Sequence, residues 1–158
     1  MAALRRNLRG PRKKTPARAV GAFVTIGKAP CKSCPYRQDV PSGIWAASEY
    51  DKLPSYDGSV LDQTMTGAMA AFYCHQQDGK LCAGWIGCHG AGNLLAMRLM
   101  ALQRPGTVDP VVWDYTSPVP LFASGEEAAQ HGRRDIKRPS DDAQRMVAQL
   151  LRKRTRKA

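Results

Sequence analysis

Apolar residues in this chain come in short bursts, divided by polar and turn-forming residues. "AFVTI", Ala22–Ile26, predicts a short strand or an extended lead-in. The tight turn "CKSCPYR" follows at Cys31–Arg37, and Ser42 is placed to cap a helix from about Gly43 to Leu53. "PSYDGSVLD" reads as loop, and a short helix is expected around Met65–Phe72, leading into Cys74. Asp78-Gly79 marks a turn within "QQDGK". The strongest helical pattern is "GNLLAMRLMALQR": Leu94, Leu95, Leu99 and Leu102, with Met97 and Met100, make a wide apolar face that stops before Pro105. "TVDPVVWDYTSPVPLFASG" is punctuated by proline and is expected to wrap the core in extended form. Ser124 with Glu127 makes a capping box for a short helix through His131. Ser140, before Asp141 and Asp142, opens a last helix with Met146, Val147, Leu150 and Leu151 on one face. Basic residues crowd its C-terminal end, which suits the helix dipole. The pattern predicts a mainly α fold: a small, irregular, metal-stabilised domain with long loops and disordered basic termini.

The length of 158 residues predicts one domain able to bury a modest core. No run of eighteen apolar residues occurs, so no transmembrane helix is expected. The basic N-terminus has no apolar stretch behind it and is not read as a secretory signal. The chain is therefore expected in the cytoplasm, where thiols stay reduced, and the five cysteines are an odd number that a full disulfide framework cannot use.

Charge divides the chain further. Residues 1–28 carry eight Lys or Arg and no acid, and residues 133–158 carry ten basic and three acidic residues. The formal total of +11 leaves −4 for the stretch between them. Three parts are expected: a basic disordered arm over 1–21, a cysteine-rich metal-binding domain over 22–132, and a basic C-terminal helix over 133–158. The ends are suited to phosphate contact without strong sequence preference, through Arg5, Arg6, Arg9, Arg12, Lys13 and Lys14 on one side. Arg152, Lys153, Arg154, Arg156 and Lys157 serve on the other. Solvated tails, or contact with an acidic protein partner, are the alternatives.

All five cysteines fall in two short windows, with two Cys-His dipeptides in the second. Cys31-Lys-Ser-Cys34 lets one turn aim two thiolates at a single ion or cluster edge. A redox dithiol is disfavoured because nothing predicts the βαβ unit such a motif occupies. The second window offers Cys74, His75, Cys82, Cys88 and His89. Cys88 is the thiol best read as a buried small hydrophobe. Structural zinc favours two tight knuckles, and only the first window is one. Iron–sulfur clusters accept less regular spacings. A 4Fe–4S cluster is therefore the first expectation and Zn²⁺ the alternative. Tyr36, Trp45, Phe72, Tyr73 and Trp85 crowd the ligands and would exclude water, or are ordinary core aromatics.

"CKSCPYRQDVPSGIW", "FYCHQ", "CAGW" and "NLLAMRL" resemble a family of small cysteine proteins of unknown function from actinobacteria and their phages. The resemblance covers about residues 30–104, with fainter similarity to about residue 132. It implies that Cys31, Cys34, Cys74 and Cys82 are the core thiols and implies no activity; Cys88, His75 and His89 stand as alternate ligands on the residues alone.

No catalytic constellation emerges. The carboxylates Asp39, Asp51, Asp57, Asp62 and Asp78 have no paired spacing, "GCHGAG" lacks the strand and lysine of a phosphate loop, and no serine elbow is present. Two classes lead: a metal-folded protein associated with nucleic acid or the transcription machinery, and an iron–sulfur redox carrier or a redox or nitric-oxide sensor.

Overall fold

The computed structural model describes residues 23–156. Six short α-helices make up most of its regular structure, and no helix is long and apolar enough to cross a membrane among these residues. They are α1 (Ala47–Tyr50), α2 (Val60–Thr66), α3 (Ala83–His89), α4 (Leu95–Gln103), α5 (Gly125–Arg133) and α6 (Asp141–Thr155). Single 3-10 turns lie at Leu53–Tyr56, Ala91–Asn93 and Pro110–Val112. The mainly helical expectation holds.

Extended segments knit the helices together through isolated bridges. Val24 pairs with Val108 and Ile26 with Leu81, so the lead-in "FVTI" is extended and touches two later parts of the chain. Tyr73 pairs with Leu81, and Arg37 with Leu121. The core gathers around Tyr36, Leu53, Leu81, Trp85, Ile86, Leu94, Met97 and Val112, all essentially inaccessible to solvent. A smaller cluster of Val40, Ile44 and Ala143, with Trp45, Met146 and Val147 against it, seats α6 on the body.

Local chemistry explains the helix ends that the sequence marks. Ser140 accepts from the Ala143 N–H and Ser124 from the Glu127 N–H. The return bond of the second cap differs from a capping box: Glu127 Oε2 accepts from the N–H of Ala123, 3.1 Å away. α6 buries Leu150 but leaves Leu151 more than half exposed, so its apolar face is narrower than expected. Leu102 on α4 is likewise exposed, while Leu94 is fully buried at the helix N-cap.

Three expectations are corrected. No helix starts at Gly43, whose φ of +76° lies in the left-handed region. Ser42 instead donates to the Asp135 carboxylate, and α1 is a single turn. The helix expected around Met65–Phe72 starts earlier, at Val60, within the stretch read as loop. Ser59 and Asp62 form its reciprocal capping box. α2 also turns its pattern inside out: Gln63 is 1% exposed while Met65 is 81% exposed. The buried amide is satisfied, donating to Asn93 O at 2.9 Å and accepting from the Leu95 N–H at 2.8 Å, which caps α4. The third correction is α3, a helix in a stretch where none was expected.

Candidate thiol site

The Cys31–Cys34 turn is built by backbone bonds. Cys34 N–H donates to Cys31 O at 3.0 Å and Arg37 N–H to Cys34 O at 3.1 Å. The Arg37 guanidinium reaches back to Pro30 O at 3.2 Å while gripping the Asp39 carboxylate. Trp45 Nε1 donates to Ser33 O at 2.9 Å, tying the turn to α1's approach.

Cys74 and Cys82 come from the two arms of a short extended loop. Cys74 N–H donates to Lys80 O at 2.9 Å, and Cys82 N–H to Phe72 O at 2.8 Å. Gly79, at φ +75°, makes the turn between them. Leu81 N–H bonds Thr25 O at 2.9 Å, which sets this loop beside the segment leading into Cys31. Cys82 is also the residue from which α3 departs.

These two units bring four thiols into two pairs. Cys34 Sγ and Cys82 Sγ lie 3.7 Å apart, both buried. Cys31 and Cys74 lie near enough for each thiol to shift the ionisation of the other, and Ser33 Oγ sits 3.8 Å from Cys31 Sγ. The pairing crosses: each cysteine of the tight turn takes one partner from the loop. The neighbouring Cys31 thiol, with backbone N–H groups of Gln76 and Gln77, brings the Cys74 pKa down to about 6 against the effect of burial. Cys31 is pushed the other way, first by the neighbouring Cys74 and then by burial. Cys34 is raised by its bond to Cys82 and by burial. The Gln76 N–H points at Cys74 Sγ from 3.4 Å. Among the described residues, no three Cys, His, Asp or Glu side chains are arranged to hold a metal ion as they stand.

Gly84 makes the buried pair sterically feasible. A Cβ there would collide with Cys34 Sγ and lie 3.0 Å from Tyr36 Cβ. The first turn of α3 therefore packs bare backbone against a sulfur. The "CAGW" string held that information, since a glycine two residues after a candidate ligand signals close approach. Tyr36, in edge contact with Phe72 at 6.3 Å, closes the core side. Trp85 is fully buried, with its edge to Tyr56 at 5.3 Å.

The alternates have other partners. His75 stacks on Trp45 at 5.0 Å and faces Glu49 Oε2 at 3.4 Å. His89 lies between the Tyr36 hydroxyl, at 3.3 Å, and Asp57 Oδ1, at 3.5 Å. Burial pushes the Cys88 pKa up to about 12, the chemistry of an inert thiol. Arg152, Lys153, Arg154 and Arg156 are exposed at the end of α6. Arg5, Arg6, Arg9, Arg12, Lys13, Lys14 and Lys157 lie outside the described residues.

Asp57 was not singled out by the sequence, yet it organises this side of the core. Its carboxylate accepts from the N–H groups of Gly125 at 2.7 Å and Glu126 at 2.8 Å, the first turn of α5, while facing His89. Asp57→Ala is expected to cost about 2 kcal/mol, the value of charged hydrogen bonds left unmade, read by denaturant unfolding. Burial lowers the His89 pKa from 6.5, although Asp57 pulls it upward. The unfolded chain then takes up this proton more readily, so stability drops as pH falls below about 6.5. His89→Gln is expected to flatten that slope, and an unchanged slope would assign it elsewhere.

No curated protein and no solved structure matches the chain. Residues 26–154, which hold all five cysteines and all six helices but for the final residue of α6, match the model of a family of unknown function, and the chain belongs to that family, DUF6283.

Proposed function

We propose that the protein binds one zinc ion through Cys31, Cys34, Cys74 and Cys82, that the ion holds its small helical body together, and that its basic ends associate with nucleic acid. The observation that carries the metal is the 3.7 Å between Cys34 Sγ and Cys82 Sγ. Zinc–sulfur bonds of about 2.3 Å in a tetrahedral site give sulfur–sulfur edges of about 3.8 Å. A 4Fe–4S cluster takes its thiolates on separate irons, which spreads the sulfurs beyond such an edge. The geometry thus supports zinc over the cluster that spacing alone suggested. Cys31 and Cys74 would supply the second edge, each giving up its proton as metal binding to thiols requires. The Gln76 N–H at Cys74 Sγ supports a thiolate there. Closure of the two pairs around one ion is what the proposal adds.

The run Arg152, Lys153, Arg154 and Arg156, exposed beyond the last buried residue of α6, supports the nucleic-acid half of the reading.

Metal analysis and a visible spectrum of protein purified without air test the metal. The expected result is one zinc per chain and no colour. Cys82→Ala is expected to empty the site and Cys88→Ala to leave the metal content unchanged. A folded, monomeric, metal-free protein under reducing conditions overturns the metal reading. Iron with a coloured centre that bleaches reversibly with oxidant or nitric oxide puts the sensor reading in its place. Affinity for mixed-sequence DNA or RNA is expected to fall steeply with salt, and absence of binding at low salt overturns the second half.

A further inference from the structure

A cleft of about 730 Å³ opens between α6 and the Cys31–Cys34 turn. Four lysines line it: Lys28 and Lys32 from the turn, Lys80 from the loop between Cys74 and Cys82, and Lys153 from α6. No lining residue is acidic, although the stretch between the two basic ends is net negative. Positive charge from three separate parts of the chain is thus gathered at one concavity, and Cys31 lies in its wall.

We infer that this cleft holds a short segment of single-stranded nucleic acid, with the lysines on its phosphates. This rests on the nucleic-acid reading above and gives it a place. Three features favour that occupant. The volume falls in the range of about 300–1,000 Å³ that takes a drug-sized ligand, enough for a nucleotide or two and too small for a duplex. Half-buried Met146 offers apolar surface to a base face. Gln76, Gln77 and Gln149 offer amides that both donate and accept, as base edges require, whereas the carboxylates of an acidic peptide ask only for donors. The cleft is also continuous in sequence with the exposed arginines that follow Lys153 on α6, so a strand leaving it meets further positive charge.

The test is fluorescence anisotropy of the full-length metal-loaded protein with labelled single strands and a duplex of the same mixed sequence, across a salt series. The single strand is expected to bind more tightly than the duplex. A triple variant Lys28→Ala, Lys32→Ala, Lys80→Ala is expected to lose about tenfold or more in single-strand affinity at low salt. Its salt slope should shrink by about 2, since each lysine on a single strand contributes about 0.7. Arg152→Gln, Arg154→Gln, Arg156→Gln removes the same charge from the end of α6 and is expected to cost less. Acylation mapping keeps the test sound if the lysine variant is compromised: bound oligonucleotide should protect Lys32 and Lys80 in the unaltered protein. If the full chain binds neither form, the nucleic-acid reading falls and the cleft assignment with it. Binding that prefers the duplex, is indifferent to the lysine triple, or leaves Lys32 and Lys80 unprotected overturns the cleft alone and leaves the basic ends as the contact. Displacement of the strand by polyglutamate at equal charge assigns the cleft to acidic proteins and likewise overturns it.

Discussion

Cys34→Ser, produced and purified under reducing conditions, is expected to lose the proposed zinc ion and most of its helical circular dichroism together. The coupling follows from scale. Structural zinc binding to thiolate peptides contributes on the order of 10–16 kcal/mol, as much as the whole stability of a typical domain, about 5–15 kcal/mol. α1 to α5 are four to nine residues long, too short to persist without tertiary support, since isolated helices below about 12–15 residues are marginal. Cys34 is 1% exposed, packs on the backbone at Gly84 and lies within the cluster that includes Tyr36 and Trp85. Serine there would lose both the soft ligand and the sulfur's packing. Cys88→Ser is the control and is expected to keep both metal and dichroism. A Cys34→Ser protein that unfolds at the same denaturant concentration as the unaltered chain would refute the role of the metal in holding the fold.

Gly125→Ala tests the fold with no reference to metal. A Cβ at Gly125 would run into the backbone carbonyl of Leu53, and that oxygen belongs to the 3-10 turn at Leu53–Tyr56, not to a side chain able to swing aside. The Gly125 N–H is also held by Asp57, so the first turn of α5 is pinned on two sides. Overpacking of this kind costs about 1–3 kcal/mol and occasionally more. The upper end is expected here, which for a chain of this size lowers the melting temperature by about 6–12 °C. At the other end of the same helix, Gly132 lies under the Tyr50 ring, so α5 approaches its neighbours closely along its whole length. A Gly125→Ala protein melting within a degree or so of the unaltered one would show that α5 can slide, contrary to this packing.

What could be read from the sequence was the chemistry that acts over a few residues. Ser140 and Ser124 mark α6 and α5 because a hydroxyl and an N–H three positions on are always within reach. The cysteines stood out by their confinement to two windows. The rest was hidden for identifiable reasons. α3 is buried on every side in its first turn, from Ala83 to Ile86, and so has no polar face to give it a period. α2 buries a glutamine and exposes Leu61 and Met65, so its apolar residues point away from the core that hydrophobic pattern is used to find. Ser42 was available as a cap, but Asp135, ninety-three positions later, takes its hydroxyl. The crossed pairing of Cys31 with Cys74 and Cys34 with Cys82 depends on Thr25 and Leu81 meeting, and Gly84 matters only once Cys34 has arrived.

The order of the thiols along the chain sets an order in time. A ribosome delivers Cys31, Cys34, Cys74 and Cys82 before it has made residue 83, with Gly84 next. α6, whose Met146, Gln149 and Leu150 form one wall of the lysine cleft, starts only at Asp141. Until α6 has been made, the sulfur side of the body faces solvent without that wall. The thiols therefore meet their surroundings at an open stage of synthesis, and the wall that borders Cys31 is added only once α6 has followed.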